Sequence, residues 1–136
     1  MIDDINFAQV VNGNNTINVA SLGEGPLVIF CHGFPGLWYS WRHQMRAVAA
    51  AGYRSVALDM RGYGGSSAPD SVTEYTLDKI RGDLMAVLAH FGDRQATFVG
   101  MDFGAAAVWS MALAEPESVR NLVVLGVPYD HDYYGY

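Results

Sequence analysis

The sequence predicts an α/β protein: a mainly parallel, doubly wound sheet preceded by an antiparallel hairpin. Three observations carry this. Short uninterrupted apolar runs such as Leu27–Cys31 have the character of strands buried on both faces. These runs alternate with stretches in which apolar residues recur every three or four positions, as on an amphipathic helix. The chain also opens on two strand-like segments joined by Asn12-Gly13-Asn14-Asn15, residue types that tolerate positive φ and so make hairpin turns.

Taken in order, residues 5–11 and 16–21 form the predicted hairpin, and residues 22–26, Leu-Gly-Glu-Gly-Pro, form a second turn. Leu27–Cys31 is the first parallel strand. A helix is expected over 37–51, with Leu37, Trp41, Met45, Val48 and Ala49 on one face and Gly52 beyond its end. Residues 53–58 form a strand and 62–69 a loop rich in glycine and serine. A helix over 76–91 presents Leu77, Ile80, Leu84, Val87, Leu88 and Phe91. A strand over 97–100, an alanine-rich helix over 104–114 stopped near Pro116, and a strand over 122–127 ended by Pro128 complete the pattern. No internal repeat, low-complexity stretch or linker divides it, so residues 1–136 are read as one partial core domain.

Composition narrows the function. Of the 136 residues, 51% are hydrophobic and 16% charged, which is enough apolar mass for a core. A net charge of −6 repels phosphate backbones and anionic lipid, so neither nucleic acid nor membrane is an expected partner. The lone Cys31 fits a reducing compartment. The acidic start Met1-Ile2-Asp3-Asp4 lacks the features of a secretion signal. No apolar run reaches the roughly 18 residues that span a bilayer. A soluble, cytoplasmic protein is expected.

Three motifs carry chemistry. Gly100-Met101-Asp102-Phe103-Gly104 follows an apolar strand and opens a small-residue helix. This is the context of a nucleophile elbow, the G-x-S-x-G turn with Asp in place of Ser. The glycines let strand and helix approach closely, and the helix N-terminus favours negative charge at Asp102. Asp is equally a preferred N-cap, so this motif alone leaves cap and nucleophile both open. Cys31-His32-Gly33-Phe34-Pro35 follows the first parallel strand, where a backbone N–H can complete an oxyanion hole. Taken by itself it could also be an ordinary strand-to-helix turn, with His32 orienting the loop. Asp59-Met60-Arg61-Gly62-Tyr63-Gly64-Gly65-Ser66 does not fit a phosphate-loop spacing and reads as structural.

Together with Leu37-Trp38-Tyr39-Ser40-Trp41-Arg42-His43-Gln44, these motifs resemble, in order and spacing, the soluble epoxide hydrolases of the α/β-hydrolase superfamily. The likeness runs from about Leu27 to Pro128. It implies an α/β-hydrolase core with Asp102 as nucleophile and the backbone N–H groups of Phe34 and Phe103 as oxyanion hole. It also implies substrate contacts at His32, Pro35 and Trp38, a small apolar epoxide as substrate, and no metal or organic cofactor. The family usually has His before the nucleophile and Trp after it, where this chain has Met101 and Phe103; neither change removes a backbone donor. Family members continue with a helical cap carrying two tyrosines and with further core strands carrying an acid and a histidine. None of these is found here, so the chain reads as truncated before them. His43 and His90 fall in predicted helices. Tyr129, Tyr133, Tyr134 and Tyr136, with Asp130, His131 and Asp132, read as the tail of a fragment rather than as epoxide activators or a charge relay.

The implied reaction opens an epoxide to a vicinal diol through an alkyl ester on Asp102. Turnover is expected to need the missing part, supplied by further sequence or by a second chain. Two alternatives stand beside it. A dehalogenase would use the same Asp, but the haloalkane enzymes are expected to have Asn at Phe34 and Trp at Phe103, and the fluoroacetate enzymes Arg after the nucleophile. A non-catalytic half or interaction module of a split hydrolase would account for the absent histidine and acid.

Overall fold

The structure, a computed structural model, describes residues 3–134. Its six strands are β1 (Asn6–Asn12), β2 (Asn15–Leu22), β3 (Leu27–Cys31), β4 (Arg54–Leu58), β5 (Ala96–Met101) and β6 (Val119–Leu125). They form one sheet in the order β1-β2-β4-β3-β5-β6. The β1–β2 and β2–β4 pairs are antiparallel, and β4–β3, β3–β5 and β5–β6 are parallel. The expected hairpin and parallel sheet are both present. Four α-helices accompany the strands: α1 (Arg42–Ala50), α2 (Leu77–His90), α3 (Phe103–Ala114) and the short α4 (His131–Tyr134).

The period-two alternation of the strands divides the interior into two cores. Leu27, Ile29 and Cys31 of β3 join one cluster with Val56, Leu58, Phe98 and residues of α2 and α3. Val28 and Phe30 face the other way, into a cluster with Ala57, Val99, and Trp41 and Met45 from the α1 side. Because β3 is buried on both faces, all five of its residues are buried, as its continuous apolar run requires. Burial in the first core pushes the Cys31 thiol up to about 12, which keeps it a small, inert hydrophobe.

Three boundaries differ from the sequence expectation by more than one residue. Residues 37–51 do not form one helix: Trp38–Trp41 is a 3-10 turn and α1 starts at Arg42. Leu37 is extended (φ −144°, ψ 176°) and the Trp38 N–H is taken by Asp59, so the entry is tightened before regular helix begins. β6 starts at Val119 and stops at Leu125, three residues earlier than expected at its start and two at its end. Its pairing with β5 begins opposite Ala96, and Gly126, at φ +78°, turns the chain out of the sheet. The expected tail includes a helical turn, α4. A further 3-10 turn, Val72–Tyr75, precedes α2, whose N-cap Thr76 accepts the Lys79 N–H.

One polar contact fixes the loop after β4 to α2. Arg61 Nε and Nη2 donate to Asp83 Oδ2 and Oδ1 at 2.8 and 2.7 Å, a bidentate pair buried to 5% and 2% exposure. Nη1 donates to the Glu74 carbonyl at 2.7 Å, and Asn12 Nδ2 donates to Asp83 Oδ1 at 2.8 Å. One charged partner thus draws the β4 loop, the 3-10 turn, α2 and β1 together. Arg61→Met, which strands a buried carboxylate, is expected to lower unfolding stability by about 3–5 kcal/mol. Adding Asp83→Leu to it should restore most of the loss, and urea denaturation of the single and double variants measures both.

Candidate functional site

The loops after β3 and after β5 meet where the order of the sheet reverses. From β3 the chain crosses to β4 on one side, and from β5 it continues to β6 on the other. In open α/β sheets such a switch point leaves a crevice outside the carboxyl ends of the strands, where ligands bind. Asp102 stands in it.

Asp102 joins β5 to α3 with φ +57° and ψ −124°, the one positive-φ residue other than glycine among the described residues. Such a conformation costs a non-glycine residue of order 1–3 kcal/mol and survives only where the surroundings enforce it. Here glycines enforce it. A Cβ on Gly104 would lie 2.1 Å from the Cys31 carbonyl oxygen and 2.6 Å from that of His32, so α3 rests directly on the end of β3. A Cβ on Gly100 would lie 2.3 Å from the Gly104 carbonyl oxygen, and one on Gly33 would lie 2.4 Å from Asp102 Cβ. Ala105, Ala106 and Ala107 are buried and keep the helix close.

The exposed Asp102 carboxylate accepts the Phe34 N–H at Oδ2, 2.9 Å away. The Phe34 N–H, and after it that of Phe103, holds this carboxyl below the ordinary aspartate range, against a small opposing effect of burial. Asp102 makes no side-chain cap to α3, so the plain N-cap reading of the motif does not describe it. The loop carrying Phe34 contains a cis Phe34–Pro35 peptide.

An open cavity of about 600 Å³ adjoins Asp102, lined also by Phe34, Phe103, Tyr63, Tyr75 and Arg61. His32, Pro35 and Trp38, expected at the substrate, do not line it. His32 is 1% exposed: its Nδ1–H donates to the Gly33 carbonyl at 2.9 Å, and Nε2 accepts the Met60 N–H at 3.0 Å. With both nitrogens committed, it orients the loop. Burial pushes its imidazole down, only partly offset by the bond to Gly33 and by Asp59. Pro35 is exposed, and Trp38 packs edge-on against Phe7 at 5.2 Å and Tyr39 at 5.5 Å. His43, His90 and His131 are exposed and none lines the cavity. Tyr129 stacks on Trp109 at 5.4 Å. The side chains of Tyr133 and Tyr134, and all of Tyr136, lie outside the described residues.

Reading the sequence missed Tyr63, Tyr75, Arg61 and Asp83. Asp83 left a signal: it sits beside Leu84 on the apolar face of α2, where a carboxylate implies a buried partner. Tyr75 left none, because its position depends on a 3-10 turn packing its ring edge over Gly62 and donating its hydroxyl to the Pro69 carbonyl. A larger cavity, about 1040 Å³, lies at the opposite end of the parallel strands, around Pro26, Gln95 and Ser118. It contains no carboxylate held in a strained turn as Asp102 is, so the smaller one is the candidate site. Among the described residues no group of His, Cys, Asp or Glu is arranged to hold a metal ion.

Comparison with known proteins agrees with this geometry. A family profile described as alpha/beta hydrolase fold matches residues 26–134. The chain belongs to the α/β-hydrolase family. Among its relatives, the "Bifunctional epoxide hydrolase 2" of Sus scrofa is 46% identical over 113 residues, covering 83% of this chain and 20% of that protein. "Epoxide hydrolase 2" of Siraitia grosvenorii is 48% identical over 116 residues, 85% of this chain and 36% of that one. A crystal structure of an epoxide hydrolase from Vigna radiata superimposes with a TM-score of 0.93 at 42% identity, covering 96% of this α/β-hydrolase chain and 42% of the other. The chain therefore spans well under half the length of these relatives. No helix among its described residues is long and apolar enough to cross a membrane.

Gly104→Ala forces a methyl into backbone on the far side of the contact. It is expected to destabilise the fold by about 1–3 kcal/mol or more, read as a lowered urea midpoint, and to release the depressed titration of Asp102. Because the folded-state value of Asp102 is depressed, its contribution to stability is present above the ordinary aspartate range and lost as pH falls through the lower folded-state value.

Proposed function

We propose that this chain carries the nucleophile of an epoxide hydrolase and that Asp102 forms the covalent intermediate. The observation that supports this best is the carboxylate itself: ionised, exposed to a cavity, and fixed by a strained turn with the Phe34 N–H on Oδ2. With Oδ2 held, Oδ1 attacks the less hindered epoxide carbon. The C–O bond of the ring opens as the ester bond forms, and the ring oxygen leaves as an alkoxide that takes a proton from an acid. A water deprotonated by a base then adds to the ester carbonyl, whose oxygen is the former Oδ2. The N–H groups of Phe34 and Phe103 stabilise the oxyanion formed there, and its collapse releases a vicinal diol and restores the carboxylate. No cofactor enters the reaction. The names of the relatives support an epoxide substrate, and the rings of Phe34, Tyr63, Tyr75 and Phe103 suit a small apolar one. The net charge of −6 speaks against nucleic acid or an anionic membrane as partner.

Among the residues lining the cavity only the hydroxyls of Tyr63 and Tyr75 can serve as the acid, and no base stands beside Asp102. No histidine lines the cavity, and His32 has no free nitrogen. A general base typically contributes roughly 10²- to 10⁴-fold. Turnover is therefore assigned to a segment or second chain that brings the base, and ester formation to the residues described here.

Incubating the chain with a styrene-type epoxide and following intact mass separates the two steps. One equivalent of adduct, equal in mass to the whole epoxide, is expected on Asp102 and absent from Asp102→Asn. Its rate of formation should stay level as pH falls from neutrality and drop only below the ordinary aspartate range, where Asp102 becomes protonated. No adduct would remove Asp102 as nucleophile, whereas repeated release of diol by the chain alone would place the base within it.

A further inference from the structure

Asp59 is buried to 2% exposure and has no cation within salt-bridge distance among the described residues. A carboxylate so placed must be stabilised by donors. Three N–H groups supply them: Trp38 N–H to Oδ1 at 2.9 Å, and Gly65 N–H and Asn18 Nδ2 to Oδ2, each at 3.0 Å. The approach is close enough that a Cβ on Gly64 would lie 2.4 Å from Oδ2. The proposed chemistry gives this group no part, yet it stands at the C-terminal end of β4, beside the loop that carries Phe34.

That loop, residues 33–37, is tied to the two-residue segment Asp59-Met60 at both ends. At its start, His32 accepts the Met60 N–H and donates to the Gly33 carbonyl. At its end, Trp38 donates to Asp59. Between the ties, Phe34 is 75% exposed and Pro35 is exposed, so apolar packing does little to hold the segment that presents the Phe34 N–H. A donor bound for an oxyanion must be fixed before charge develops. We infer that Asp59 is a positioning residue, whose carboxylate, through the Trp38 N–H, holds the 33–37 loop so that the Phe34 N–H meets Asp102. This rests on the reading of Phe34 as an oxyanion donor.

The sign of one titration separates this role from a merely structural or electrostatic one. Removing a nearby negative charge lowers the titration midpoint of a carboxyl, whereas loosening the Phe34 N–H raises it. Of the other residues lining the cavity only Arg61 is charged, and its guanidinium is committed to Asp83 and to the Glu74 carbonyl. The aspartate carboxyl carbons of the 136-residue chain are followed by NMR against pH, with Asp102 identified by its loss in Asp102→Asn. In Asp59→Asn the Asp102 midpoint is expected to rise toward the ordinary range, and exchange of the Phe34 amide to quicken roughly tenfold or more. A midpoint unchanged or lowered in folded Asp59→Asn overturns the proposal. Should that variant fail to fold, the unmodified protein decides: exchange of the Trp38 amide as fast as that of an unbonded loop amide overturns it, and strong protection supports it. If instead Asp102 titrates normally in the unmodified protein, the Phe34 contact itself is refuted and the fault lies in the oxyanion reading.

Discussion

The end of β3 and the start of α3 touch through backbone alone. Gly104 lies against the carbonyl oxygens of Cys31 and His32, Gly100 lies under Gly104, and Gly33 faces the Cβ of Asp102, with no room for a methyl group at any of the three. This contact brings two neighbouring parallel strands and a helix to one point, forces Asp102 to positive φ, and leaves its side chain projecting from the turn. Everything the site can do depends on it. With side chains between helix and strand the turn would relax, and Asp102 would become an ordinary helix cap, its carboxylate turned to the α3 N–H groups instead of to Phe34.

Around this contact, polar bonds rather than apolar packing set the shape of the carboxyl end of the sheet. His32, Asp59, Arg61 and Asp83 are all buried and all bonded to backbone or to each other. Such groups gain little net stability from burial, but a loop that must present an N–H at a fixed place gains direction from them, because hydrogen bonds have geometry and apolar contacts do not. The two cores on either side of the sheet provide the bulk of the stabilisation, and the polar ties decide where the loops point.

The far edge of the sheet is built differently. Val99 pairs with Val123 and Met101 with Leu125, so these residues share a face. Val123, Leu125 and Met101 are each more than 40% exposed there, and the outer edge of β6 is unpaired among the described residues. This apolar face and free edge stand beside the β5–α3 turn that carries Asp102.

The sequence by itself determined most of the elements and the strand-to-helix turn that carries Asp102. Short continuous apolar runs bounded by turns read as buried strands, glycines flanking an Asp between strand and helix read as a close approach, and the family resemblance placed Phe34 opposite Asp102. The hairpin, the buried strand runs and the apolar faces of the two amphipathic helices follow from such local patterns. The ends of β6 and α1 did not, because Gly126 and the tie from Trp38 to Asp59 stop or tighten them from outside the periodicity. Nor did the places of Trp38, Tyr63 and Tyr75. Whether a side chain on a loop reaches substrate or holds its neighbour depends on which residues distant in sequence meet it. His32 bonds Met60 and Trp38 bonds Asp59, across 28 and 21 residues of chain. No local pattern records such pairings, so only the folded chain decided that Trp38 bonds Asp59 and that Tyr63 and Tyr75 line the cavity.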